Sequence, residues 1–200
     1  MATFATIDLD HTDRYKLLTG LVVPRPIGWI GTADRDGRPN LAPYSFFQAV
    51  ATSPPVVLYS AGISHGREKD SLVNARTTGE FTCNLVDRAV AEAMNQSAAK
   101  LEHGESEFDF AGLTPEPSLE VKAPRVAEAK ASFECRVQQI VELGEAPDAS
   151  AVVFGEVVRF HVDDSVLDGT RIDHGALDAI GRMAGNGYVT TRDRFELARP

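Results

Sequence analysis

Two stretches of this chain carry residue types that could hold a ligand through specific chemistry. The first runs from Arg25 to Phe47 and centres on Pro43-Tyr44-Ser45-Phe46-Phe47. Proline donates nothing to a sheet ladder, so Pro43 in a returning strand implies an edge, a bulge or a gap. A gap exposes backbone amides, and Tyr44, Phe46 and Phe47 add apolar surface around the Ser45 hydroxyl. Amides, a hydroxyl and aromatic faces together suit a flat heteroaromatic ring with polar edges. The competing reading is an ordinary hairpin whose aromatics are core and whose Ser45 caps a turn. The second stretch, Gly66-Arg67-Glu68-Lys69-Asp70-Ser71, puts two cations and a hydroxyl at the start of a helical segment. Free amides and the helix dipole favour an anion there, and a phosphate monoester would sit well. A capped helix with solvated basic residues is the plainer alternative.

The elements that must position these groups read as strands joined by tight turns, which favours antiparallel pairing. Ile27, Trp29 and Thr32 carry a strand pattern, and Asp34-Arg35-Asp36-Gly37 predicts a hairpin turn. Strands follow from Phe46 to Ala51 and from Val56 to Ser60. A helix capped by Asp70 or Ser71 runs to about Thr78, where Gly79 stops it, and Glu80 to Val86 alternates as a strand. Two more helices are predicted, one from Thr12 to Leu21 and one from Asp87 to about Ala99. Glu102 to Pro124 is acidic, bears three prolines and lacks a period, so it reads as a long surface loop or lid. Ala129 to Glu142 and Val152 to Val162 form a long hairpin, and from Asp163 the chain is a tail of turns. The sum is one domain over residues 1–200, a mainly antiparallel β-barrel with peripheral helices.

Composition narrows the function classes. A net charge of −9 and a pI near 5.0 argue against a nucleic-acid surface. Basic clusters are local only: Arg25, Arg35 and Arg38, then Arg67 and Lys69. Cys83 and Cys135 lie far apart in apolar runs and read as buried thiols. The five histidines lack metal-ligand spacing, and no pair of catalytic carboxylates stands out, so no metal and no protein-borne catalytic set is assigned. A basic-then-apolar leader and a long apolar span are both missing from the pattern, which points to a cytoplasmic protein without a membrane partner. Gly62-Ile63-Ser64-His65-Gly66 matches the nucleophile elbow G-x-S-x-G, with His161 or His174 as a later base. Antiparallel strands, a late helix start and the want of an HGGG-type segment leave a serine hydrolase at Ser64 as a minor alternative.

The ring-binding break and the phosphate site are separated by one strand, and FMN carries a ring at one end and a phosphate at the other. With Arg25-Pro26, Trp29, Thr32, Asn40 to Phe47, Pro54-Pro55, Lys69-Asp70-Ser71, Gly79-Glu80-Phe81, Asn84, Arg182, Gly185 and Tyr188 in order, the chain resembles the flavin reductase-like family of FMN-binding split-barrel proteins. The resemblance implies an FMN-type split β-barrel, a homodimer with flavin near the subunit interface, and flavin reduction by NADH or NADPH. FMN is the implied cofactor, with FAD as a variant, and reduced flavin could pass to a partner monooxygenase. An FMN-binding electron carrier that never uses a nicotinamide is the alternative of another class. By the same resemblance, Tyr44, Ser45, Phe46 and Phe47 line the isoalloxazine. Ser60, Arg67, Lys69, Asp70 and Ser71 hold the phosphate, and Arg182 and Tyr188 pack near a flavin, conceivably the partner's. Gln48 stands where an Asn is common, and Ser71 keeps the hydroxyl of a common Thr.

Overall fold

The computed structural model describes residues 1–63, 66–101, 105–145 and 149–198. Helix α1 (His11–Leu21) opens the chain, with Asp10 accepting from the Asp13 amide at its cap. Strands β1 (Arg25–Pro26), β2 (Gly28–Ala33), β3 (Pro39–Tyr44), β4 (Phe47–Thr52) and β5 (Pro55–Gly62) follow in quick succession. Helix α2 (Asp70–Thr78), strand β6 (Glu80–Leu85) and the short helices α3 (Ala91–Gln96) and α4 (Glu107–Phe110) come next. Residues Pro115–Glu116 (β7) pair with Arg125–Val126 (β8) ahead of the long strands β9 (Ala131–Leu143) and β10 (Ser150–Val162). The remainder holds a two-residue ladder of Leu167–Asp168 (β11) with Arg171–Ile172 (β12), then helix α5 (His174–Leu177) and strands β13 (Ile180–Arg182) and β14 (Tyr188–Thr190).

Seven antiparallel strands form the main sheet in the order β3-β2-β6-β9-β10-β5-β4. Strands β3 and β4 are consecutive in the chain yet sit at opposite edges, so the curled sheet is split where Ser45 and Phe46 join them. This is the split β-barrel expected from the sequence. The barrel interior packs Ile30, Val57, Tyr59, Leu72, Phe81 and Val153, while Trp29, Leu41, Met94, Phe108 and Val126 form a second core outside it. Strand β2 is the shared wall, which is why all six of its residues are buried where a half-exposed strand would alternate. Across the split, a Cβ on Gly28 would lie 2.4 Å from the Phe47 ring, so the bare backbone there lets the ring seat against β2.

The structure corrects several local expectations. Of the edge, bulge or gap that Pro43 implies, the structure has the edge and not the gap: Pro43 pairs with Trp29 inside the edge strand β3. Helix α2 begins at Asp70 after Lys69, without a side-chain cap, and ends as expected at Gly79 with φ of 73°. The helix expected from Asp87 to Ala99 is shorter, because Asp87 accepts from the Ala89 and Val90 amides and spends that stretch as a capping turn. The tail is partly strand, since β13 joins both β1 and β14.

The described part of 102–124 runs at the surface, with Phe110 and Leu119 exposed, but it is anchored to the strands beneath and not a free loop. Phe108 is fully buried, and Leu113, Val121 and Ala123 enter the packing. Glu134, buried on β9, accepts from the amides of Leu119 (2.9 Å), Glu120 (2.6 Å) and Val121 (3.0 Å), and its Oε1 lies 2.6 Å from His161 Nε2. Thr82 Oγ1 donates to the Pro124 carbonyl and Asn84 Oδ1 accepts from the Val126 amide. A sequence window shows none of this, because the segment is ordered by bonds to distant strands. Burial alone would raise the Glu134 pKa, but the three amides and His161 draw it below its ordinary 4.5. A depressed native pKa means the carboxylate stabilises the fold above that ordinary value and loses this as pH falls through the native one. Glu134→Ala is expected to cost roughly 3–5 kcal/mol by leaving buried amides unpaired, read from the urea midpoint at constant slope. The gap between wild type and variant should narrow below pH 4.5.

Candidate functional site

At the split, the run Tyr44 to Phe47 turns out of β3 and into β4, and its four side chains part company. Tyr44 is buried, with its ring 4.9 Å from that of Tyr59 and its hydroxyl bonded to Ser71. Ser45 is half-buried and accepts from Arg25 Nε at 3.4 Å. Phe46 is 40 % exposed, with the Arg25 guanidinium 5.9 Å from its ring centre. Its carbonyl accepts from the Ser60 amide at 2.8 Å, which ties the half-buried Ser60 to the split. Phe47 covers Gly28. Thus Phe46, rather than Tyr44, offers an open aromatic face, and Tyr44 is the floor beneath.

Arg25 organises this corner. It is 6 % exposed and donates through Nη1 to the carbonyls of Thr19 (2.6 Å) and Val22 (2.7 Å), and through Nη2 to Met183 (3.1 Å). The basic cluster of Arg25, Arg35 and Arg38 is therefore no anion patch: Arg25 points inward, and Arg38 is paired to Asp34 at 2.7 Å and Asp36 at 3.0 Å.

The start of α2 lies on the other side of Tyr44. Lys69 Nζ stands 5.2 Å from the Tyr44 ring centre, and partial burial followed by the charge of Lys100 lowers its pKa. Among the described residues no acceptor takes the amides of Asp70 and Ser71, as expected for the first turn of a helix. Arg67 and Asp70 are exposed, while the Ser71 hydroxyl is buried against Tyr44. Glu107 also faces this end: its carboxylate accepts from the Leu41 amide at 3.3 Å, and burial, with Asp70 nearby, raises its pKa. Burial pushes the Tyr44 phenol up to about 12, and the Ser71 bond only partly offsets this. Tyr44 therefore stays a neutral hydrogen-bonding group. Cations and free amides beside a neutral phenol can hold an anion. Ser64 and His65, which carry the hydrolase reading, lie outside the described residues.

Arg182 and Tyr188 reach the same neighbourhood through the small sheet. Arg25 faces Arg182 across β1 and β13, and Arg182 faces Tyr188 across β13 and β14. Directly opposed residues share a face, so the three make one row leading to Phe46. The Arg182 guanidinium sits 4.5 Å from the Tyr188 ring centre and bonds the Gly185 carbonyl. The Tyr188 hydroxyl donates to Asn95 on α3 at 3.3 Å. A cleft of about 690 Å³ opens there, between α3 and the β13–β14 hairpin, away from the split itself.

Residues 20–180 match the flavin reductase like domain. The chain belongs to the flavin reductase-like family. An uncharacterized protein of Deinococcus radiodurans is 44% identical over 200 residues, spanning 96% of this chain and 86% of that one. Nitrilotriacetate monooxygenase component B from Bacillus cereus is similar in structure, with a TM-score of 0.95, 37% identity and 98% of each chain covered. So is the 2-nitrobenzoate 2-nitroreductase of Pseudomonas fluorescens, with a TM-score of 0.88, 29% identity, and 100% of this chain and 96% of that one covered. In this flavin reductase-like chain, the two segments singled out in the sequence, 43–47 and 66–71, meet at Tyr44, whereas the positioning role of Arg25 was not foreseen. A basic residue between Pro24 and Pro26 was its only signal. Arg25→Lys, which lacks the fork, is expected to cost roughly 2–4 kcal/mol of stability by stranding carbonyl acceptors. Urea unfolding and faster proteolysis within residues 15–24 would register the loss.

Proposed function

We propose that the protein is an FMN-dependent NAD(P)H:flavin oxidoreductase working as a homodimer. The observation that carries this reading is one corner of the split barrel. There an exposed aromatic face, Phe46, lies beside buried Tyr44, and so does a helix start with Lys69 and two amides that have no acceptor among the described residues. That donor set fits both ends of a phosphorylated flavin: the open ring face for the isoalloxazine, the cation and amides for the phosphate. On this reading Ser45, Phe46 and Phe47 flank the ring and Tyr44 supports it. Ser60, Arg67, Lys69, Asp70 and Ser71 surround the phosphate, with Ser71 acting through its amide. Bound flavin supplies the hydride-accepting chemistry; the chain's own residues bind it, orient it and limit water around it.

The surface supports a second copy as partner. Ile7 (88 % exposed), Leu18 (55 %) and Leu21 (79 %) present an apolar face on and before α1. Strand β4, at the sheet edge, is exposed from Gln48 to Thr52. An open apolar edge of this kind invites pairing unless another subunit covers it. The similarity to a component B of a monooxygenase supports transfer of reduced flavin to a separate monooxygenase.

Two measurements test the proposal. Flavin added to the purified protein should bind and then bleach when NADH or NADPH is supplied without oxygen. Bound flavin inert to both nicotinamides would instead identify an electron carrier. Lys69→Ala is expected to weaken FMN binding about tenfold while changing riboflavin binding little, since its charge faces the phosphate. Equal losses for the two ligands would remove Lys69 from the phosphate site.

A further inference from the structure

The cleft between α3 and the β13–β14 hairpin takes no part in the split itself. Glu92 and Gln96 lie one helical turn apart on the wall formed by α3, with Arg88 just before the helix. Arg182 and Tyr188 form the opposite wall, and Asn95 is bonded across to Tyr188. A volume of about 690 Å³ is the size of a small-ligand site. Its chemistry is that of a nucleotide pocket. Two guanidiniums suit phosphate oxygens, the amides of Asn95 and Gln96 both donate and accept toward a base edge, and a carboxylate takes hydrogen bonds from ribose hydroxyls. The opposed residues Tyr188, Arg182 and Arg25 put the cleft two strand spacings from Arg25, whose guanidinium lies 5.9 Å from the Phe46 ring centre, within the span of a dinucleotide.

Resting on the reductase reading above, we infer that this cleft is the subsite for the adenosine phosphate half of the nicotinamide donor. Arg88 and Arg182 hold the phosphate on its adenosine side and Glu92 its adenosine ribose. A carboxylate at the ribose accepts from a free 2′-hydroxyl and repels a 2′-phosphate, so the donor is NADH in preference to NADPH. The nicotinamide end is left to reach the flavin.

The test uses the FMN-loaded protein and three donors: NADH, NADPH and reduced nicotinamide mononucleotide, which lacks the adenosine phosphate half. Arg88 is exposed, so Arg88→Gln leaves the fold intact. In this variant the advantage of NADH over the mononucleotide, as a ratio of kcat/KM values, should fall about tenfold, mainly through KM. ADP should compete with NADH in the wild type and do so more weakly in the variant, and Glu92→Gln should narrow the preference for NADH over NADPH. An unchanged ratio in Arg88→Gln, or equal losses with NADH and the mononucleotide, would overturn the subsite while the reductase reading stands. Loosened FMN or FAD binding in the variant would assign the cleft to the flavin and overturn it likewise. A wild type that binds FMN but is reduced by none of the three donors would sink the reductase reading, and this inference with it.

Discussion

One buried guanidinium holds the working corner of this protein together. Arg25 spends its donors on the carbonyls of Thr19 and Val22 at the end of α1, on Met183 beyond β13, and on the Ser45 hydroxyl at the split. Two of those segments are otherwise lightly held: α1 buries only Thr19, and the Ser45 linker belongs to no ladder and is tied by the Phe46 carbonyl to Ser60. A planar fork with fixed donor directions joins them at defined angles, which a flexible ammonium would not do. The placement of Phe46 and the row through Arg182 both follow from that joint.

The phosphate end is governed by a different balance. Lys69 and the first amides of α2 favour an anion, while Asp70 and Glu107 stand close enough to oppose one. The buried Tyr44 and Ser71 hydroxyls satisfy each other beneath them, so the site stays neutral below and charged only at its rim.

Much of this was legible in the residues. The hairpin turn at Asp34 to Gly37, the stop at Gly79 and the long β9–β10 hairpin follow from local chemistry, and the structure has them. That 43–47 and the start of α2 are neighbours was legible too, because Pro43 and the basic residues before α2 are local signals. What failed needed distant partners. Tyr44-Ser45-Phe46-Phe47 looks like one lining surface, but the chain turns there and sends Tyr44 into the core and Phe46 outward. The described part of the 102–124 segment has no period because Glu134 and Thr82 hold its backbone from other strands. The apolar residues of α1 face outward, although their spacing would seat them in the core of this chain.

The contact between Phe47 and Gly28 has a mechanical consequence. No hydrogen-bonded ladder joins β3 to β4, so the width of the split at that point is set by an aromatic ring lying on bare backbone. Ladder spacing of about 4.8 Å is fixed by directional bonds, whereas van der Waals contact has no preferred direction along the surface. Such a joint is stiff against compression and compliant to sliding. The short Ser45–Phe46 link tethers the two edges at one end, so the ring sets the height of the gap while the link and Arg25 limit any shift along it.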